Sequence, residues 1–190
     1  MKRALIVLLF LLSACKTEQA GEPVPVSLTR EATGHYCQMN LWEHPGPKAQ
    51  VHLKDVSAPL FFSQVRDAIA YQRMPEQSHQ ITAIFVNDMA AAPSWDMPGA
   101  DNWTPAEDAV YVVGSTRTGG MGAPELVPFG TTVDAQAFAA QYGGQVRGLD
   151  AIADADVLTP VESEASDTTP AGDDDYARRL RGISQQGTSP

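Results

Sequence analysis

His35, Cys37 and Met39 alternate within one short stretch, Gly34-His35-Tyr36-Cys37-Gln38-Met39. In an extended chain, residues two apart point to the same face. Their Cα atoms then lie about 6.6 Å apart, two strand rises. A thiolate and a thioether so placed can converge on one ion, with an imidazole as their neighbour. Thiolate with thioether is a soft donor set, and soft sets select Cu(I). Zinc prefers Cys and His in closed tetrahedra, and hard cations take oxygen ligands. Cys and Met also pack together simply as apolar residues, so the spacing gains its meaning from the rest of the chain.

The N-terminus sets the compartment. Met1-Lys2-Arg3 is a short basic segment, and Ala4 to Leu12 is an unbroken apolar run. A spanning helix needs about 20 such residues, so this run has the length of a signal-peptide core. It ends in Leu12-Ser13-Ala14-Cys15, which resembles the lipobox of bacterial lipoproteins. That resemblance implies cleavage before Cys15, diacylation of its thiol, and a mature chain tethered to a membrane and facing the periplasm. Lys16, rather than Asp, follows the cysteine, which suits outer-membrane sorting. With Cys15 lipidated, Cys37 is the one remaining thiol of two cysteines. Exported cysteines usually pair; an unpaired thiol there is a liability unless it is buried or bound to something.

Charge narrows the partners. The chain carries 13 Lys and Arg against 23 Asp and Glu, and loss of Lys2 and Arg3 leaves a net charge of about −12. A binder of nucleic acid or of an anionic bilayer surface would be basic. The sequence divides into a signal peptide (1–14), a lipid-anchored linker (15–28), a folded domain (29–158) and an acidic tail (159–190). Residues 16–28 are polar with two prolines and read as a tether. The tail has few large apolar residues and the run Asp173-Asp174-Asp175, and it reads as disordered.

The domain contains a repeat. Phe62, Asp67, Ala68, Ala70 and Tyr71 recur as Phe129, Asp134, Ala135, Ala137 and Phe138, all at an offset of 67 residues. Each copy reads as a helix, with Ser63 or Thr131 as N-cap. The apolar stripe is Val65, Ala68 and Ile69 in the first copy and Val133, Ala137 and Phe138 in the second. Strand-like runs precede each helix (50–53 leading to 60–62; 125–129) and follow it (81–86; 145–149). Ala109–Gly114 opens the second copy, and His35–Leu41 is the expected counterpart in the first. The fold class is therefore α+β: two similar ββαβ units, about 30–90 and 105–158, packed in one domain. The Pro- and Asp-rich segment 88–108 reads as a linker loop between them.

Other donors are fewer. Met121 sits in Gly119-Gly120-Met121-Gly122, a flexible loop whose thioether could close over an ion held by the first unit, or could anchor the loop to the core. His35 is the imidazole alternative. His44, in a turn before Pro45, His52, on a strand face with Gln50, and His79 read as surface or satisfied histidines. Met89 and Met97 near Trp95 and Trp103 read as packing, and the nearby Asp residues lack calcium-loop spacing. His35 beside Cys37 formally permits a thiol enzyme, but no C-x-x-C pair exists for thioredoxin-like chemistry.

Several blocks in order, Gly34–Met39, Gly46-Pro47-Lys48-Ala49-Gln50, Phe61–Ala68, Tyr111–Ser115, Met121-Gly122 and Pro128-Phe129, resemble the NosL family across about residues 30–150. The resemblance implies a copper(I) chaperone lipoprotein of nitrous oxide respiration, built as two ββαβ-type units related to the organomercurial lyase fold. It implies Cys37 and Met39 as copper ligands. It also implies nitrous oxide reductase and an ABC-type maturation complex as partners. The expected protein is a non-enzymatic Cu(I) carrier, with Cys37, Met39, Met121 and His35 as the metal residues. The alternatives are a metal-free adaptor lipoprotein of the same system and a thiol enzyme of organomercurial-lyase-like fold.

Overall fold

The computed structural model describes residues 23–75 and 77–161. The signal peptide, Cys15 and the tail from residue 162 lie outside the described residues. The chain divides after Val157; of the second unit, Leu158–Pro190, only residues 158–161 are described.

The first half runs β1 (Ala49–Leu53), β2 (Leu60–Phe62), α1 (Val65–Arg73) and β3 (Ile81–Asn87). The second runs β5 (Val110–Val113), β6 (Val127–Phe129), α2 (Thr132–Tyr142) and β7 (Gln145–Gly148). A further strand, β4 (Trp103–Pro105), lies between them, and a short α3 (Asp154–Leu158) closes the series. In both halves the first strand is central and antiparallel to its neighbours: the orders are β2-β1-β3-β4 and β6-β5-β7. The registers also match. Ala49 opposes Phe62 and Val86 in the first half, and Val110 opposes Phe129 and Gly148 in the second. The repeat is thus a repeat of topology, and the α+β reading holds.

Three expectations are corrected. The opening strand of the first half is β1, not His35–Leu41. Both flanks of β1 are already paired, so the sheet has no place there for another strand, and residues 35–41 close on themselves as a turn and a 3-10 helix (Leu41–Glu43). The segment 88–108 is not all loop, since β4 pairs with β3 through Phe85–Pro105, Val86–Thr104 and Asn87–Trp103. Helix α1 begins one residue later than expected, with Gln64 rather than Ser63 at the N-cap.

Most of the core is shared. Val51, Phe62, Val65, Ala68, Ile69 and Val86 of the first half pack in one cluster with Tyr111, Val113, Leu126 and Ile152 of the second. Burying side chains of this size stabilises by roughly 1.5–3 kcal/mol each, so neither half is complete without the other. The stripe expected for α1 is buried. Helix α2 differs: Val133 is 74% exposed and Ala137 is exposed, and the helix packs through Ala135, Phe138 and Ala139. A third cluster, Leu28, Ala32 and Leu41 with Trp42, Phe61 and Trp103, seats the segment that carries Cys37. Val26, within the expected linker, exchanges hydrogen bonds with the buried Gln50: its N–H donates to Oε1 at 2.8 Å and its carbonyl accepts from Nε2 at 3.0 Å.

The halves differ in their first hairpin. The β1–β2 connection spans 54–59, whereas the β5–β6 connection spans 114–126 and carries Met121.

Thr131 caps α2, its Oγ accepting from the Asp134 N–H at 3.2 Å. Thr131→Ala should therefore lower stability by about 1 kcal/mol, read from chemical denaturation.

Candidate metal centre

The thiol sits on a tight loop. Thr33 bridges Asn40, the Gly34 N–H donates to the Met39 carbonyl (3.0 Å), and the Gln38 N–H donates to the Gly34 carbonyl (2.9 Å). Gln38 takes φ +55°, and its amide Nε2 donates back to the His35 carbonyl at 2.6 Å. The chain folds so closely that a Cβ on Gly34 would stand 2.4 Å from Cys37 Sγ; only glycine leaves room beneath the sulfur. The Asn40 side chain then caps the following 3-10 turn by accepting from the Trp42 N–H, and donates to the Arg30 carbonyl.

The strand argument that put His35, Cys37 and Met39 on one face therefore does not apply. Cys37 and Met39 are neighbours through the turn instead: Sγ lies 4.0 Å from the Met39 carbonyl oxygen. Cys37 is half-buried, while Met39 is 42% exposed. The His35 imidazole is seated among aromatic rings, 5.5 Å from Phe62 and 5.6 Å from Tyr71 edge-on, with Tyr36 at 5.3 Å.

Met121 stands on the long β5–β6 hairpin. Its tip is a turn closed by Gly119 N–H to Ala123 carbonyl and Gly122 N–H to Gly119 carbonyl, with Gly122 at φ +78°. The tip lies on the first half. A Cβ on Gly120 would stand 2.7 Å from His44 Cβ and 2.9 and 3.1 Å from the carbonyl oxygens of Ser63 and Pro45. A Cβ on Gly119 would meet Glu125 Oε2 at 2.3 Å and Gln64 Oε1 at 2.7 Å. The Met121 N–H donates to Gln64 Oε1 at 2.9 Å, and the Met121 side chain is 47% exposed. The base of the hairpin is held by Arg117, whose guanidinium lies over the Trp95 ring (4.3 Å) and the Tyr142 ring (5.2 Å).

Under the two loops is a buried polar set that sequence reasoning missed. Lys48 is 1% exposed, and its Nζ donates to the carbonyls of Pro45 (3.1 Å) and Gly46 (2.6 Å). Burial lowers its pKa to about 8, against the attraction of Glu125 and of Cys37, which places the ammonium within electrostatic reach of the thiol. Glu125 Oε1 accepts from the N–H groups of Arg66 (3.0 Å) and Leu126 (2.9 Å), while Oε2 is buried with no partner among the described residues. Burial drives this carboxyl up to about 8, the two N–H bonds opposing the shift and Asp67 adding to it. Gln64 Nε2 donates to Asp67 Oδ2 at 3.1 Å, and burial raises the Asp67 pKa as well. The signals in the sequence were a lysine directly before a strand and a glutamate inside the apolar run Ala123–Phe129.

His44 departs from its expected role as a satisfied histidine. Its Nδ1 lies 2.9 Å from the Gly120 carbonyl. A carbonyl only accepts, so Nδ1 carries a proton and donates; Nε2 is buried with no partner among the described residues. His52 Nε2 meets Gln50 Oε1 at 2.9 Å, on the face its strand parity predicts, and His79 bonds Ser78 Oγ.

The NosL family model matches residues 25–157. The chain belongs to the NosL family. It is 58% identical over 176 residues to the copper-binding lipoprotein NosL of Achromobacter cycloclastes, covering 92% of this chain and 90% of that one. It is 32% identical over 146 residues to the copper-binding lipoprotein NosL of Stutzerimonas stutzeri, covering 74% and 73%. Its fold is similar to the crystal structure of the copper chaperone NosL from Shewanella denitrificans, with TM-score 0.65 and 33% identity over 70% of this chain and 98% of that one. In this NosL domain the thiol loop belongs to the first ββαβ half, and the Met121 loop belongs to the second and lies on His44, Pro45, Ser63 and Gln64 of the first.

Two outcomes follow from the geometry. Glu125 holds a proton in the fold that the unfolded chain releases between pH 4.5 and about 8, so its contribution to stability is full below 4.5 and lost as pH rises through 8. Lys48 acts oppositely, its deprotonation near 8 rather than 10.5 favouring the fold as pH climbs between those values. Glu125→Gln, which keeps an oxygen for the Arg66 and Leu126 N–H groups, should flatten the loss between pH 5 and 8 in urea denaturation. Gly120→Ala should displace the Met121 loop, because its Cβ meets fixed carbonyl oxygens. Proteolysis at the 114–126 hairpin should then be faster while the far-ultraviolet spectrum is kept.

Proposed function

We propose that this chain is a copper chaperone that carries Cu(I) as cargo on Cys37 and Met39, with Met121 as third donor. The observation that carries the reading is the pairing of a half-buried thiol and an exposed thioether on one tight turn, with a second exposed thioether on a glycine loop seated on the same half of the molecule. Membership of a family whose relatives are named copper-binding lipoproteins, and a fold shared with a protein named a copper chaperone, support it. His35 is the weaker donor of the expected set, because its ring is packed among Tyr36, Phe62 and Tyr71.

The donor chemistry suits delivery. Soft sulfur donors favour the monovalent ion. A site of few, exposed donors lets an acceptor's ligands enter before the chaperone's own have left. The buried Lys48 ammonium supplies positive charge near the thiolate form of Cys37 without offering a ligand. In this reading Cys15 bears the lipid and the chain works on the periplasmic side of a membrane. The acceptor is the copper-sulfur centre of nitrous oxide reductase, reached through an ABC-type maturation complex. Nothing in the reading requires turnover of a substrate, and the chain acts as a carrier rather than an enzyme.

An anaerobic competitive Cu(I) titration tests it. The wild-type protein should bind close to one copper per chain. Cys37→Ser should abolish tight binding, and Met39→Ala should weaken it by about tenfold or more, the scale on which changes around a metal alter affinity. Affinity should fall toward acid pH, because the thiol must lose its proton. Equal, weak binding by all three proteins would remove the copper site and leave a metal-free adaptor as the better description.

A further inference from the structure

The internal repeat provides its own reference for how the start of α1 would look without a site beside it. At the 67-residue offset Gln64 matches Thr131, and Asp67 matches Asp134. In the second half these residues form a local cap: Thr131 Oγ accepts from the Asp134 N–H and donates to Asp134 Oδ2 at 2.6 Å. In the first half Gln64 stands at the N-cap but makes no side-chain cap bond. Its Nε2 keeps the tie to Asp67 Oδ2, while its Oε1 turns across to the other half and accepts from the Met121 N–H, 57 residues away. A different N–H of the first turn is met from the other half: Glu125 Oε1 accepts from Arg66, the second residue of α1, whereas the local cap of α2 takes the third. The two halves have exchanged hydrogen bonds: one residue of the second caps the helix of the first, and the N-cap residue of the first holds a loop of the second.

Gln is not among the favoured N-cap residues, and Gln64 is 2% exposed. Burying a flexible amide costs side-chain entropy and desolvation, so its bonds must be worth making. A second, separate contact fixes the same loop. His44 Nδ1–H donates to the Gly120 carbonyl, the residue before Met121. The loop is therefore held at successive residues, carbonyl of 120 and N–H of 121, by two side chains of the first half. Two of its three glycines, Gly119 and Gly120, are packed too closely to allow a side chain.

We propose that Gln64 and His44 are positioning residues for the cargo ion, forming a clasp that fixes where the Met121 thioether stands relative to Cys37 and Met39. The inference rests on the copper reading above and deepens it. Neither residue needs to touch the ion. Both act through the backbone of the loop, so the clasp decides how long copper stays rather than whether it binds.

The test uses the full chain loaded with Cu(I), with copper loss to an excess of chelator followed in time and the sulfur neighbours of copper read by X-ray absorption. Gln64→Ala should speed loss by about tenfold, the effect of one buried hydrogen bond, and should lower the sulfur count as Met121→Leu does. The double variant should be no faster than Met121→Leu alone, since both changes remove one contribution. His44→Ala should act in the same direction, and His44→Asn, whose amide nitrogen can replace Nδ1 as donor to Gly120, should restore slow loss. Hydrogen exchange should show the Met121 N–H losing protection in Gln64→Ala while amides of β1 and β5 keep theirs. Thr131→Ala, at the matching position of α2, should lower stability without changing copper loss. The clasp is overturned if Gln64→Ala retains the wild-type rate and sulfur count, if the double variant is additive, or if Met121→Leu has no effect while Cys37→Ser loses copper. His44→Asn behaving as His44→Ala would overturn the positioning role of His44. If Cys37→Ser itself retains copper, the copper site falls and the clasp with it.

Discussion

Burial of Glu125 at the seam between the two halves is the constraint on which the site depends. A carboxyl group taken out of water must be neutral or well bonded. This one is held by two backbone N–H groups, one from the residue that follows it and one from the start of the opposite helix. The bond to Arg66 ties α1 to the end of the hairpin that leads into β6. With α1 fixed, Gln64 at its start is fixed, and through it the loop that carries Met121. Lys48 lies close enough to feel the same carboxyl and the thiol of Cys37. One buried acidic group thus links the helix of the first half, the hairpin of the second and the charge beside the sulfur.

The pattern is unlike a closed metal site, where ligands from rigid elements define the geometry directly. Here the proposed donors stand on turns, and the rigidity lies one layer below them. The thiol turn is seated on the cluster of Leu28, Ala32 and Leu41, and the thioether loop on Gln64, His44 and the carbonyls of Ser63 and Pro45. Exposed donors over a fixed base suit an ion that must be handed on: the sulfurs are open to an approaching acceptor, and their backbone is not free to drift.

Much of the scaffold was legible in the sequence. The F-x4-D-A-x-A-aromatic repeat located both helices, and the runs at 81–86, 109–114 and 125–129 contain strands β3, β5 and β6. Where the reading failed, tertiary contacts had overridden local pattern. The alternation of His35, Cys37 and Met39 imitates a strand, yet β1 already has partners on both sides, and Leu41 is drawn into a separate cluster that forces the chain to turn. Val133 fits a helical stripe on paper, but α2 buries its Ala135 face, and Val133 is left in solvent. The proposed donors Cys37, Met39 and Met121 could be named from their residue types and from the family resemblance. Gln64, His44, Lys48 and Glu125 could not, because their meaning comes from contacts between the two halves, and a local pattern carries no information about a partner 57 or 76 residues away.

The unequal hairpins bear on how such a site can arise. Residues 54–59 join the first two strands of one half, and 114–126 join the corresponding strands of the other, a connection about twice as long. Closing a loop of twice the length costs only about 0.6 kcal/mol in chain entropy. Lengthening one turn of a duplicated scaffold therefore leaves the sheet registers and the shared core untouched. Two equal copies of a fold can in this way become unlike at almost no thermodynamic expense, one keeping a short turn and the other growing an arm that lies on its neighbour.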